Sequence, residues 1–235
     1  MKTVLFDLDG TLLPMDAEEF AKGYFATLSK TLAPHGYDPK HLVQAIWNST
    51  KAMVTNDGST TNEEAFWKDF ETIFGEKVRQ DLPYFNDYYL NEFQQVKQCC
   101  GYQPLTKELI SLFKENKPIL ATNPIFPQVA TYSRIRWAGL DPNDFSYITT
   151  YENSTHCKPN VDYYKDIIEH CHLDPTQCLM VGNDTNEDVA ALQTGMQVYL
   201  VTDCLIDSNH VDYSAIPHGS FSEMVQYVKE FLTKD

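Results

Sequence analysis

Apolar residues are distributed along the chain in two styles. Short unbroken runs occur at Val4-Leu5-Phe6, Ile119-Leu120-Ala121, Cys178-Leu179-Met180-Val181 and Val198-Tyr199-Leu200-Val201. Runs this short, bounded by polar or turn residues, suit strands buried on both faces of a sheet. Tyr147-Ile148-Thr149 has the same extended character. Between these runs the spacing turns helical: Leu105, Leu109 and Leu112 share a face, residues 126 to 138, 160 to 171 and 185 to 194 are predicted as helices, and Ser220-Phe221-Ser222-Glu223 is a capping box that announces a closing helix. Counting Tyr147-Ile148-Thr149 as the third run in chain order, Lys158-Pro159 opens the helix that follows it. Strands alternating with helices predict an α/β fold, a parallel sheet covered by helices on both faces.

One stretch breaks the alternation. From Asp16 apolar residues recur every four positions, at Phe20, Tyr24, Leu28 and Leu32, again at Phe66, Phe70 and Phe74, and at Phe85, Tyr89 and Phe93, with Pro34, Gly58, Gly75 and Pro83 as punctuation. Residues 16–99 are therefore predicted to form an all-helical unit inserted into a core made of residues 1–15 and 100–235. The insert carries 14 of the 30 aromatic residues, enough for a small core of its own.

Charge and cysteine content narrow the function classes. With 18 basic and 33 acidic residues the formal net charge is −15, which repels phosphate backbones and anionic lipid heads, so neither nucleic acid nor membrane is an expected partner. The first carboxylate, Asp7, follows only three apolar residues, and no apolar run approaches membrane-spanning length, which gives a cytoplasmic expectation. The six cysteines include no C-x-x-C pair and are read as thiols. In His170-Cys171-His172 the side chains diverge on a helix, so the run reads as ordinary helix surface and not as a zinc site.

Ligands of open parallel sheets bind beyond the carboxyl ends of the strands, and here those ends carry the chemistry. The first run ends at Asp7-Leu8-Asp9-Gly10-Thr11, the second at Thr122-Asn123, and the fourth at Gly182-Asn183-Asp184-Thr185-Asn186-Glu187-Asp188. No two of the ten glycines lie closer than thirteen positions, which excludes the glycine-rich nucleotide loops and the G-x-S-x-G elbow. A cluster of carboxylates on neighbouring strand ends is costly unless a hard divalent cation neutralises it, and oxygen ligands suit magnesium. Asp184 with Glu187, or Thr185 with Asp188, would also read as simple helix capping.

These motifs, in this order and across the whole chain, resemble the haloacid dehalogenase superfamily, in the subgroup with an α-helical cap between the first and second motifs: V-L-F-D-L-D-G-T-L-L, I-L-A-T-N, Lys158 before Pro159, and V-G-N-D-T-N-E-D-V-A-A. The resemblance implies a Rossmann-like core and a phosphatase acting on a small phosphate ester through an aspartyl-phosphate. It implies Asp7 as nucleophile and Mg2+ ligand, the Asp9 carbonyl as a second ligand with its side chain as acid and base, and Asp184 as the third. Thr122 and Lys158 would hold the phosphoryl oxygens, Asn123 would donate beside them, and Asp188 would orient Lys158, with Gly10 and Thr11 in support. Asn183 is a departure, since many relatives place an acid directly after the glycine; it could instead contact the metal's water shell. Asp9 argues against a dehalogenase, whose halide leaves without a proton. A phosphomutase on the same scaffold is the rival enzyme reading. A non-catalytic phospho-acceptor module is the rival outside enzymology, but it needs no insert of some eighty residues.

Overall fold

The computed structural model describes residues 2–113 and 116–233. Six parallel strands form one sheet in the order β3-β2-β1-β4-β5-β6. They are β1 (Thr3–Phe6), β2 (Ile119–Leu120), β3 (Tyr147–Ile148), β4 (Cys178–Gly182), β5 (Gln197–Val201) and β6 (His218–Gly219). The predicted strands are all present. β6, which carries only His218 and Gly219 against β5, has no apolar run to announce it.

β1 is central, with Phe6 opposite Leu120 of β2 and Val181 of β4. From β1 the chain order runs outward in both directions, so the carboxyl ends of β1, β2 and β4 flank a topological switch point. Leu5, Ile119, Met180 and Val198 face one layer with Tyr163, Tyr164 and Ile167. Val4, Phe6, Leu120, Val181 and Tyr199 face the other, an apolar cluster that continues without a break into the inserted helices.

Residues 16–99 fold as α1 (Ala17–Leu32), α2 (Pro39–Val54), α3 (Asn62–Phe74) and α4 (Lys77–Leu90), followed by a 3₁₀ stretch Glu92–Cys99. The start signals are local: Asp16, Asp38 and Thr61 each accept the N–H three residues on, at 2.9, 2.9 and 3.2 Å. Pro83 does not end a helix, as its punctuation predicts, but lies inside α4. Burial of Val78, Phe85 and Tyr88 outweighs the one hydrogen bond that proline removes. The two connections to the core pair with each other: Met15 bridges Cys100, and the Gly101 N–H donates to the Pro14 carbonyl at 2.7 Å.

The remaining helices are α5 (Leu105–Ile110), α6 (Gln128–Trp137), α7 (Val161–His170) and α8 (Phe221–Thr233). The Ser220 capping box closes as expected, with Glu223 accepting the Ser220 N–H at 2.8 Å. Two expectations are corrected. Residues 185–194 are a turn followed by a 3₁₀ helix over Val189–Thr194, because the Asp184 and Asp188 carboxylates bind nearby N–H groups and hold the chain in a tight loop. Lys158 does not open a helix: α7 begins at Val161 behind an Asn160 cap, and Lys158 sits in the loop before it. Among the described residues no helix is long and apolar enough to cross a membrane. All six cysteines are free thiols, and the His170 ring lies 4.5 Å from that of Tyr147 in a surface contact.

Candidate active site

Asp7 is the first residue beyond β1, fixed by its N–H to the Val181 carbonyl at 2.8 Å. Its carboxylate is buried and accepts from the Lys158 ammonium at 2.9 Å and the Thr11 hydroxyl at 3.3 Å. Burial pushes the Asp7 pKa up to about 7, with the negative charges of Asp188 and Asp9 adding to the rise and Lys158 opposing it. A cation bound at that carboxylate would act in the opposite sense and favour the charged form.

Lys158 is fully buried under Tyr163 and Tyr164 of α7 and spans two acids, Asp7 and Asp188, the latter at 2.7 Å. Burial works against its charge, but the two carboxylates prevail and raise its pKa well above the ordinary lysine value. Asp188 is the hinge pin of the fourth motif. Its second oxygen accepts the N–H groups of Asn183 and Asp184, both at 2.9 Å, so one carboxylate holds both the lysine and the loop. Gly182 is required for this arrangement, since a Cβ there would lie 2.1 Å from the Asp188 carboxylate.

Asn183 turns out to be closely integrated. The Thr11 hydroxyl that meets Asp7 also reaches the Asn183 Oδ1 at 3.0 Å, while the Asn183 amide donates to the Cys204 carbonyl at 2.7 Å. Gly10 makes room for it: its φ is +82°, and a Cβ would fall 2.2 Å from the Asn183 Nδ2. Asp184, in contrast, turns its Oδ1 to the N–H groups of Asn186 and Glu187 at 2.7 and 2.9 Å. Asp184 thus stands two residues beyond β4 and caps a turn there.

Thr122 is buried beyond β2, its carbonyl accepting the Thr149 hydroxyl at 2.6 Å and the Tyr163 hydroxyl at 3.0 Å. The Asn123 amide N–H is already committed to the Glu187 carboxylate at 2.9 Å, while its carbonyl oxygen is buried without a partner. The sequence offers Glu187 only as a capping partner of Asp184, not as a site residue. Burial raises its pKa to about 8, against the pull of Lys158.

Arg134 is the residue that sequence reasoning missed. It lies on α6, almost completely buried, and its guanidinium pairs with the Asp9 carboxylate and donates to the Thr131 hydroxyl at 3.3 Å. The same guanidinium stacks 4.5 Å over the Phe126 ring. Its Nε and the other Asp9 oxygen are buried with no hydrogen-bond partner. An arginine among alternating polar and apolar residues gives no sequence signal of burial. The nearest cue is that α6 shows no clear apolar face, which fits a helix covered on several sides.

Two oxygen acceptors thus meet at the Thr11 hydroxyl near the end of β1, the Asp7 carboxylate and the Asn183 Oδ1. They suit a hard divalent cation. Among the described residues no three histidine, cysteine or acidic side chains converge closely enough to form a ready-made cage.

The sequence profile of haloacid dehalogenase-like hydrolases matches residues 1–195. No curated protein sequence matches the chain. Among solved structures, a phosphatase of the same superfamily from Thermococcus onnurineus superimposes with a TM-score of 0.59 at 17% identity, covering 97% of this chain and 98% of the other. The 2-haloacid dehalogenase of Pseudomonas syringae pv. Tomato DC3000 gives 0.65 at 18% identity, with 98% and 99% covered. YfnB of Bacillus subtilis, a hydrolase whose structure holds magnesium, gives 0.54 at 17% identity, with 97% and 98% covered. These likenesses concern the fold, and with the profile match over most of its length the chain belongs to the haloacid dehalogenase-like hydrolases.

Proposed function

We propose that the protein is a magnesium-dependent phosphatase that hydrolyses a small phosphate ester through an aspartyl-phosphate on Asp7. The observation that carries the reading is the pair Asp7 and Asp9 at the end of the central strand, the first carboxylate buried against Lys158 and Thr11, the second free of that ammonium. Asp7 attacks phosphorus and the ester oxygen departs. Asp9 gives that oxygen a proton and then takes one from the water that cleaves the phospho-aspartate, splitting one hard displacement into two easier ones. Lys158 and Thr122 supply fixed donors for the phosphoryl oxygens, and Asp188 keeps the ammonium aimed at Asp7. Residues 16–99 act as a cap over the sheet, moving about the paired connections at Met15 and Cys100.

A bound Mg2+ would offset the site's negative charge and allow a dianionic ester to approach. Asp7 and the Asp9 carbonyl are its first two protein ligands in this reading. Asp184 is the third that the family pattern implies; its Oδ1 caps the turn, while the Asn183 Oδ1, the alternative donor, accepts the Thr11 hydroxyl. The two substitutions separate these roles. If Asp184 ligates, Asp184→Asn raises the magnesium concentration needed for half-maximal rate at least tenfold and Asn183→Ala does so weakly; the reverse order assigns the ligand to Asn183.

The direct assay is inorganic phosphate release from a panel of phosphate esters, with magnesium and with excess chelator. Release is expected to stop on chelation and return with added magnesium. Turnover that survives thorough chelation would remove the metal from the reading. Conversion of a sugar phosphate to its isomer without phosphate release would instead mark a phosphomutase.

A further inference from the structure

Phe126 lines a cavity of about 180 Å³. Ten of its fifteen lining residues are aromatic and none is charged. Helices α1 to α4 supply most of the wall, and Ile125-Phe126-Pro127, just past the Asn123 strand end, and Tyr151, beyond β3, supply the rest. The few polar groups are largely paired with one another. The Tyr24 and Tyr89 hydroxyls are 2.9 Å apart, and the Trp67 Nε1 donates to the Tyr151 hydroxyl at 3.4 Å.

The cavity is tied to the reacting end by a short relay. Phe126 forms its wall and carries the Arg134 guanidinium on its ring, and Arg134 holds Asp9, the group that protonates the leaving oxygen. Arg134 thus stands between the chamber wall and Asp9.

Resting on the phosphatase reading, we infer that the cavity is the subsite for the organic part of the substrate, and that this part is an uncharged apolar group about the size of one aromatic ring. Three physical points support the class. A dry apolar cavity of roughly 150 Å³ suffices to take a benzene-sized molecule. Sugars and nucleosides need hydrogen-bond partners for each hydroxyl they bring in, and burying a hydroxyl without one is costly. The chamber offers few, because Tyr24 is paired with Tyr89 and Trp67 with Tyr151, and beyond these only Thr50 and Trp47 bring polar side-chain atoms to the lining. A second anion would find no cation in the lining at all. An aryl or branched alkyl group, in contrast, meets edges and faces of rings on all sides. The same features count against the sugar-phosphate mutase.

The experiment compares two unactivated alkyl esters, so that leaving-group chemistry is matched: 2-phenylethyl phosphate and glycerol phosphate, both with magnesium. A kcat/KM at least a hundredfold higher for the phenylethyl ester is expected, and equal values or a preference for glycerol phosphate overturn the inference. Ala21→Leu, a helix-compatible change in the cavity wall, should collapse that ratio by tenfold or more; an unchanged ratio in a folded variant also overturns it. Binding of 2-phenylethanol, followed by the fluorescence of Trp47 and Trp67, tests the chamber without any turnover. If no ester is hydrolysed but the alcohol binds, the phosphatase reading has failed and the apolar chamber stands as a site for a ligand of that class. If the alcohol does not bind, the chamber is not a ligand site. If it binds yet the phenylethyl ester is not preferred, the chamber serves a ligand other than the substrate and the subsite assignment is lost.

Discussion

Lys158→Met is expected to lower the free energy of unfolding by about 3–5 kcal/mol, the usual cost of removing one member of a buried ion pair. The sequence reading placed this lysine at a helix start, where its loss would scarcely affect folding. The structure reverses that. Lys158 is the only cation touching Asp7 and Asp188 among the described contacts, and all three side chains are withdrawn from water. Methionine fills the space of the aliphatic stem but leaves two carboxylates facing each other in a dry pocket. Asp188 would then hold the N–H groups of Asn183 and Asp184 with no ammonium opposite, and the fourth-motif loop should loosen. Urea unfolding followed by circular dichroism gives the measurement. The double variant Lys158→Met/Asp188→Asn should recover part of the loss, because it removes one of the unpaired charges. A single-variant loss below 1 kcal/mol would mean that water or a counter-ion reaches the pocket. Phosphatase activity is expected to vanish in both variants, since neither can offset phosphoryl charge at Asp7.

Asp9→Asn should slow the first chemical step on alkyl phosphates by about 10²–10⁴, the range that a lost general acid or base commands. The amide keeps the shape and the backbone carbonyl, but it can neither give a proton to an alkoxide nor take one from water. An aryl phosphate, whose leaving group is stable as an anion, should still phosphorylate Asp7. The phosphoenzyme then stalls, and rapid mixing should show a burst of phenol of about one equivalent followed by almost no turnover. Asparagine also deprives Arg134 of its carboxylate partner, so some loss of melting temperature accompanies the change. The burst separates the two effects, because a merely distorted site would phosphorylate poorly with both ester types. Equal slowing of both, with no accumulated phosphoenzyme, would make Asp9 a structural partner of Arg134 and remove it from proton transfer.

Five of the six strands, the helices between residues 16 and 99 and the positions of Asp7, Thr122 and Asp184 just beyond their strands were legible in the sequence, because each is encoded locally. A run such as Cys178-Leu179-Met180-Val181 is apolar on both faces wherever it lies, and Asp7-Leu8-Asp9-Gly10-Thr11 places its carboxylates at a strand end whatever surrounds them. Capping is equally local, which is why Ser220 and Glu223 could be paired in advance. What tertiary structure alone decided was the company each side chain keeps. Thr11 and Asn183 are separated by 172 positions, and Arg134 and Asp9 by 125, and no periodicity links either pair. A lysine before a proline looks exposed until two tyrosines of α7 and two aspartates from different strand ends close around it. β6 exists because β5 offers it an edge, not because His218 and Gly219 favour extension. The aromatic stripes of residues 16–99 announced helices and a core, but not that the packed helices leave a chamber beside Phe126, since a cavity is a property of how faces meet and not of any one face.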